Sequence, residues 1–91
     1  MEITLQVIIE GRVQGVGFRY TTKELALGYD IVGWAKNRKD GNVELLISGD
    51  KEEVEEYLYE LVEKSNVAHH IKKKHISNAQ VDQNISGFSI L

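Results

Sequence analysis

Apolar and polar side chains alternate along residues 3–11. One face of an extended chain carries Ile3, Leu5, Val7 and Ile9, and the other carries Thr4, Gln6, Ile8 and Glu10. This period of two residues is typical of a β-strand that is buried on one side. The chain is therefore predicted to begin with such a strand.

The period changes to that of a helix at two places. Residues from Phe18 onward place one apolar stripe on a helix, made of Phe18, Thr22, Leu25, Ala26 and Tyr29, and Asp30 is expected to end it. A second stripe consists of Val54, Tyr57, Leu58, Leu61 and Val62. Asp50, followed by Glu53, predicts a reciprocal capping box at the start of this second helix.

Two strands are predicted between the helices, over residues 31–39 and 42–48. Asp40 and Gly41 are typical of the tight turn of a hairpin. A turn of two or four residues would place one set of side chains on the core face, namely Val32, Trp34, Val43, Leu45 and Ile47. Asn37 and Glu44 would then both lie on the opposite face, where Glu44 is expected to face solvent.

A fourth strand is expected over Ile71–Val81, where the run Lys72–His75 interrupts the alternation. An edge strand with a bulge would account for this interruption, and its lysines would form a solvated edge. Residues 87–91 predict a short closing strand. The order β-α-β-β-α-β predicts an α+β fold, the ferredoxin-like split βαβ sandwich. It would have a mainly antiparallel sheet of four to five strands, with antiparallel neighbours and two helices on one face, as a single domain over 1–91.

Composition narrows the classes of function. The 91 residues include no cysteine, which excludes disulfides and thiolate metal sites, and the formal net charge of −3 argues against nucleic-acid binding. No apolar run is long enough for a membrane span, and residues 1–9 lack the layout of a signal peptide. A cytoplasmic location is the default expectation, and a monomer is the simplest one.

The candidate chemistry lies in the segment Gly11–Arg19, which has glycines at positions 11, 15 and 17 between a strand and a helix. Glycines allow successive backbone N–H groups to converge, and a helix N-terminus adds unpaired donors and partial positive charge. Arg19 adds a charged fork that suits phosphate oxygens. The spacing matches neither a Walker loop nor a dinucleotide fingerprint. We therefore expect an anion site here, although a glycine-rich turn with a surface arginine is the plainer alternative.

Together, Gly11–Arg19, the segment Gly33–Asn37 and the Asp40-Gly41 pair resemble the acylphosphatase family, and the resemblance extends to residues 87–90. It implies hydrolysis of acyl phosphates without a metal, a cofactor or a covalent intermediate. It also implies that Arg19 and Asn37 are catalytic. The implied phosphate-binding residues are Gln14, Gly15, Val16, Gly17, Phe18 and Arg19, acting mainly through backbone N–H groups. Acetyl phosphate, carbamoyl phosphate and 1,3-bisphosphoglycerate share the head group, so the physiological substrate stays open.

Other functions compete with this hypothesis. The segment around Phe18 superficially resembles an aromatic RNA-binding strand, but it precedes a helix and the third strand has no aromatic residue. His69, His70 and His75 lack the spacing that would bring them together on one face as metal ligands, so surface histidines are the favoured interpretation. A catalytically silent relative remains a further alternative, although both implied catalytic positions are intact.

Overall fold

The computed structural model describes residues 1–80 and 84–91, which form a five-stranded sheet and two α-helices. The strands are β1 (Glu2–Gly11), β2 (Ile31–Asn37), β3 (Val43–Asp50), β4 (Ile71–Asn78) and β5 (Phe88–Ile90). The helices are α1 (Phe18–Ala26) and α2 (Lys51–Tyr59). A π-helical turn over Glu60–Lys64 continues α2, and a 3₁₀ turn over Ala68–His70 leads into β4.

The sheet has the strand order β4-β1-β3-β2-β5. β1 pairs antiparallel with β3 and β4, and β2 pairs antiparallel with β3, whereas β5 is parallel to β2. The predicted α+β split βαβ class is confirmed. The expectation of antiparallel neighbours is wrong at β5, because a strand of three residues carries too little pattern to indicate its partner.

Both helices pack on the same face of the sheet and enclose one apolar core. Its fully buried side chains include Val7, Ile9, Val13, Phe18, Leu45, Ile47, Val54, Tyr57 and Leu61. The Tyr57 hydroxyl donates a 2.8 Å hydrogen bond to the Thr22 carbonyl and so joins α2 to α1. Burial raises the pKa of Tyr57, so this hydroxyl keeps its proton and its role as a donor.

The register of the β2–β3 hairpin differs from the prediction by one residue. Asn37 lies opposite Val43, and Ala35 lies opposite Leu45, so residues 38–42 form the connection. An odd connection reverses the face of every β2 side chain relative to a connection of two or four residues. Trp34 therefore lies half-buried on the face away from the helices, and Asn37 lies on the helix side. Val32 shares the face of Trp34, so the placements predicted for Val32, Trp34 and Asn37 are all wrong.

The helix ends also differ from the prediction. α1 ends at Ala26, before Asp30. Asp50 caps α2 by accepting from the Glu52 N–H at 3.3 Å, whereas the Glu53 carboxylate accepts from the Asp30 N–H at 2.9 Å. The reciprocal capping box is therefore wrong, because Glu53 is held by the segment that leads into β2.

β4 lies at the edge of the sheet, as predicted, and it contains a bulge. Glu10 pairs with Lys73 and Gly11 with Ile71, which leaves Lys72 without a partner in the ladder. β4 ends at Asn78, and Val81, the predicted end, lies outside the described residues. Within the described part of the chain, no helix combines the length and apolar character needed to cross a membrane.

Candidate active site

The segment between β1 and α1 turns sharply at two glycines. Gly15 and Gly17 both have φ of +77°, in the left-handed region, and Gly17 directly precedes the first helical residue. A Cβ atom built on either glycine would meet nothing within 4 Å. Glycine is therefore favoured at both positions by backbone conformation and not by lack of space.

A cavity of about 190 Å³ opens at this turn. Its described lining consists of Val13, Gly15, Gly17, Phe18, Arg19, Tyr20, Asn37 and Ile90. β1 and β2 run in the same direction because each is antiparallel to β3. The segment after β1 and the end of β2 therefore meet at one edge of the sheet, and the structure brings Arg19 and Asn37 together in one cavity.

Arg19 lies in the first turn of α1 and is half-buried. Its Nη1 donates a 2.7 Å hydrogen bond to the Leu91 carbonyl, next to β5. A guanidinium has five N–H donors in a planar fork, and this bond uses one of them. The contact orients the side chain while leaving the fork the capacity to bind an anion.

Gln14 is not among the described lining residues of this cavity. Its side-chain Nε2 donates to the Arg38 carbonyl at 2.7 Å and to the Asn42 carbonyl at 2.9 Å. Gln14 therefore ties the glycine turn to both ends of the hairpin connection that follows Asn37. Val16, half-buried against the core, likewise does not belong to the described lining of the cavity. The other predicted phosphate-binding residues do line it: Gly15, Gly17, Phe18 and Arg19.

Three lining residues were not predicted as part of the site. Tyr20 keeps 61% of its surface exposed and follows Arg19 directly. Its position next to the arginine at the start of the helix could have predicted it as a lining residue. Val13 and Ile90 line the cavity as well. Ile90 belongs to the strand whose pairing the sequence pattern does not indicate.

A second cavity, of about 490 Å³, lies at the hairpin and shares Asn37 with the first. Its other lining residues are Lys36, Arg38, Lys39, Asp40 and Glu44. Arg38 forms ion pairs with Asp40 at 3.1 Å and with Glu44 at 3.4 Å. The Asn42 N–H and the Arg38 guanidinium, in that order of effect, lower the pKa of Asp40.

The histidines lie apart from these cavities. The His75 imidazole contacts the Glu10 carboxylate, and the rings of His69 and His70 lie against each other. In residues 1–80 and 84–91, no group of three or more His, Cys, Asp or Glu side chains is arranged to hold a metal ion.

Known proteins resemble this chain over nearly its whole length. A family model described as Acylphosphatase matches residues 5–90. The chain belongs to the acylphosphatase family. Sequence relatives named acylphosphatase include one of Geobacillus kaustophilus, which is 36% identical over 87 residues, covering 96% of this chain and 92% of the relative.

Other family members show both stronger local likeness and the shared fold. An acylphosphatase of Nitrobacter winogradskyi is 51% identical over 57 residues, covering 63% of this chain and 58% of that relative's length. The crystal structure of the acylphosphatase from Bacillus subtilis superposes with a TM-score of 0.86 at 31% identity, covering 100% of this chain and 99% of that one. The resemblance found in the sequence motifs is thereby confirmed.

Proposed function

We propose that this member of the acylphosphatase family hydrolyses acyl phosphates to a carboxylate and inorganic phosphate. The observation that carries the proposal is one shared cavity, in which Arg19 and Asn37 meet at the N-terminus of α1. The relatives named acylphosphatase support the same reaction class. We further propose that the protein is cytoplasmic and monomeric, as the sequence predicts.

The phosphate is held by the glycine turn, the start of α1 and Arg19. The N-cap Gly17 has no side chain that could satisfy the first helical N–H groups. These groups have no acceptor inside the helix and lie at its positive end, which favours an anion. The Arg19 fork adds a fixed positive charge to the same cavity, where it neutralises charge on the equatorial oxygens.

Asn37 orients the water. A neutral amide does not accept a proton at pH 7, but its oxygen and its NH₂ group both form hydrogen bonds. The water oxygen attacks phosphorus in line, the bond between phosphorus and the bridging oxygen breaks, and the carboxylate leaves with the bond's electron pair. The water's proton passes to a phosphate oxygen. Because the carboxylate is a good leaving group, positioning and charge neutralisation supply the main part of the catalysis.

A metal is not required in this scheme, because Arg19 and the backbone donors supply the positive charge. The test is hydrolysis of benzoyl phosphate by the purified chain in the presence of a metal chelator. We expect turnover to persist, and inorganic phosphate to inhibit competitively. Absence of turnover, with or without divalent cations, would refute the proposed function.

Variants separate binding from positioning. Arg19→Ala should lose phosphate inhibition and nearly all turnover, and Arg19→Lys should recover little because it lacks the fork. Asn37→Ala should lower kcat by about 10²–10³-fold, as expected for loss of a preorganised polar group, with phosphate affinity close to the parent's. Asn37→Asp should not rescue turnover, since its carboxylate repels the bound phosphate. Loss of phosphate affinity in Asn37→Ala equal to that in Arg19→Ala would assign Asn37 to the phosphate site.

A further inference from the structure

The two cavities at this edge of the sheet are neighbours that meet at Asn37. Asn37 is the last residue of β2 and lines both of them. The smaller cavity, of about 190 Å³, contains Arg19, and an acyl group that extends from a phosphoryl group at Arg19 past Asn37 enters the larger cavity. The larger cavity, beyond Asn37, is open to receive that group.

In the larger cavity the carboxylates have ion-pair partners and two lysines do not. Its two carboxylates, Asp40 and Glu44, are both paired with Arg38, and Asp40 also accepts from the Asn42 N–H at 3.0 Å. Lys36 and Lys39 also line the cavity, and neither forms an ion pair within the described ranges. Two ammonium groups are thus left to face a ligand.

The surroundings also restrict one of these two lysines. The Lys36 ammonium lies 5.2 Å from the centre of the Trp34 ring, on the sheet face away from the helices. A cation held over an aromatic face has fewer positions to sample than a free lysine. Lys36 is therefore a partly ordered cation beside the end of β2, and Lys39 adds a second one in the hairpin turn.

We infer that Lys36 and Lys39 form a subsite for a second anionic group, so that the preferred substrates are acyl phosphates whose acyl part carries a carboxylate or a phosphate. This inference rests on the proposed function and defines the acyl side of the same site. An anionic acyl group gains the attraction of two cations that have no competing carboxylate. An uncharged acyl group of the same size gains nothing from them.

The test compares two substrates that differ only in this charge, 4-carboxybenzoyl phosphate and 4-carbamoylbenzoyl phosphate. The ratio of their kcat/KM values is measured for the parent, for each single lysine-to-glutamine variant and for Lys36→Gln/Lys39→Gln. The ratio should favour the carboxylate in the parent and fall about three- to tenfold in the double variant, as expected for two exposed ion pairs. It should fall similarly for the parent in about 1 M salt, where such pairs are screened.

Lys51→Gln is the matched control, because it removes the same charge at the start of α2, beyond the far end of β3. β3 spans roughly 20 Å or more between that end and the hairpin. The control should leave the ratio unchanged. An unchanged ratio in the double variant, or an equal fall in Lys51→Gln, would overturn the subsite while leaving the proposed function intact. Failure of the parent to hydrolyse either acyl phosphate would instead refute the proposed function, and the subsite with it.

Discussion

Replacement of Gln14 by methionine should destabilise the fold and disturb the site together. Methionine keeps the length of the side chain and removes both hydrogen bonds, at 2.7 Å to the Arg38 carbonyl and 2.9 Å to the Asn42 carbonyl. Each carbonyl keeps a second donor, the Gly41 N–H at 3.2 Å and the Arg38 N–H at 2.8 Å respectively. No buried acceptor is left unsatisfied, so only the modest net value of each bond is lost.

Two such bonds correspond to about 1–2 kcal/mol in the free energy of unfolding. For a domain of this size the unfolding midpoint should fall by roughly 5–15 °C in a thermal melt. The hairpin connection also follows directly after Asn37, so loss of the tie should lower kcat for benzoyl phosphate more than it raises KM. Circular dichroism and steady-state kinetics on the same preparation measure both effects.

Tyr57→Phe provides the control for stability alone. It removes a 2.8 Å hydrogen bond between the two helices, inside the core and outside the lining of either cavity. Tyr57→Phe should lower the free energy of unfolding by about 1 kcal/mol and leave kcat unchanged at temperatures where the variant is folded. An equal fall of kcat in both variants, or a Gln14→Met variant as stable and active as the parent, would show that Gln14 does not position the hairpin.

The remaining predictions concern two glycines and one carboxylate. Gly33→Ala places a Cβ 1.9 Å from the Leu46 carbonyl oxygen in the middle of the sheet, whereas Gly17→Ala meets no atom within 4 Å. In a urea titration, Gly17→Ala should lower the free energy of unfolding by about 1 kcal/mol. Gly33→Ala should lower it clearly more, by about 2–3 kcal/mol, or leave the chain unfolded. The folded chain lowers the pKa of Asp40 below its ordinary value of 3.8. The ionised carboxylate therefore stabilises the fold at pH values above 3.8, and this contribution is lost as the pH falls through the lowered pKa. The stability difference between the parent and Asp40→Asn should thus be present at pH 7 and vanish in acid; a difference that grows in acid would contradict the sign.

The convergence of Arg19 and Asn37 follows from topology, which the sequence pattern indicates well. Once β1 and β2 are known to run in the same direction, the segment after one strand and the end of the other must share an edge. The face on which Asn37 lies could not be predicted, because Asp40-Gly41 indicates a turn without fixing how many residues it contains. The five-residue connection is held by bonds among its own residues and by the two bonds from the distant Gln14, and a short sequence pattern does not indicate the latter.

The elements near the end of the described chain show the same limit. The bulge at Lys72 was predictable, because a break in alternation is visible in the residues themselves. The parallel pairing of β5 was not, since three residues give no pattern that selects β2 over any other edge. As a result, the contribution of Ile90 to the cavity, and the bond from Arg19 to the Leu91 carbonyl, could only be found in the structure.

The position of β5 has a consequence for how activity depends on local opening. The strand is three residues long and forms one edge of the sheet, and the Leu91 N–H extends the pairing by a 2.8 Å bond to the Ala35 carbonyl. Short edge segments open at a lower free energy than the global transition, by detachment that leaves the rest of the fold in place. Such detachment would release the Arg19 guanidinium from its acceptor. Heating should therefore reduce turnover before it melts the helices, with amide exchange at Leu91 as the earliest event in that sequence.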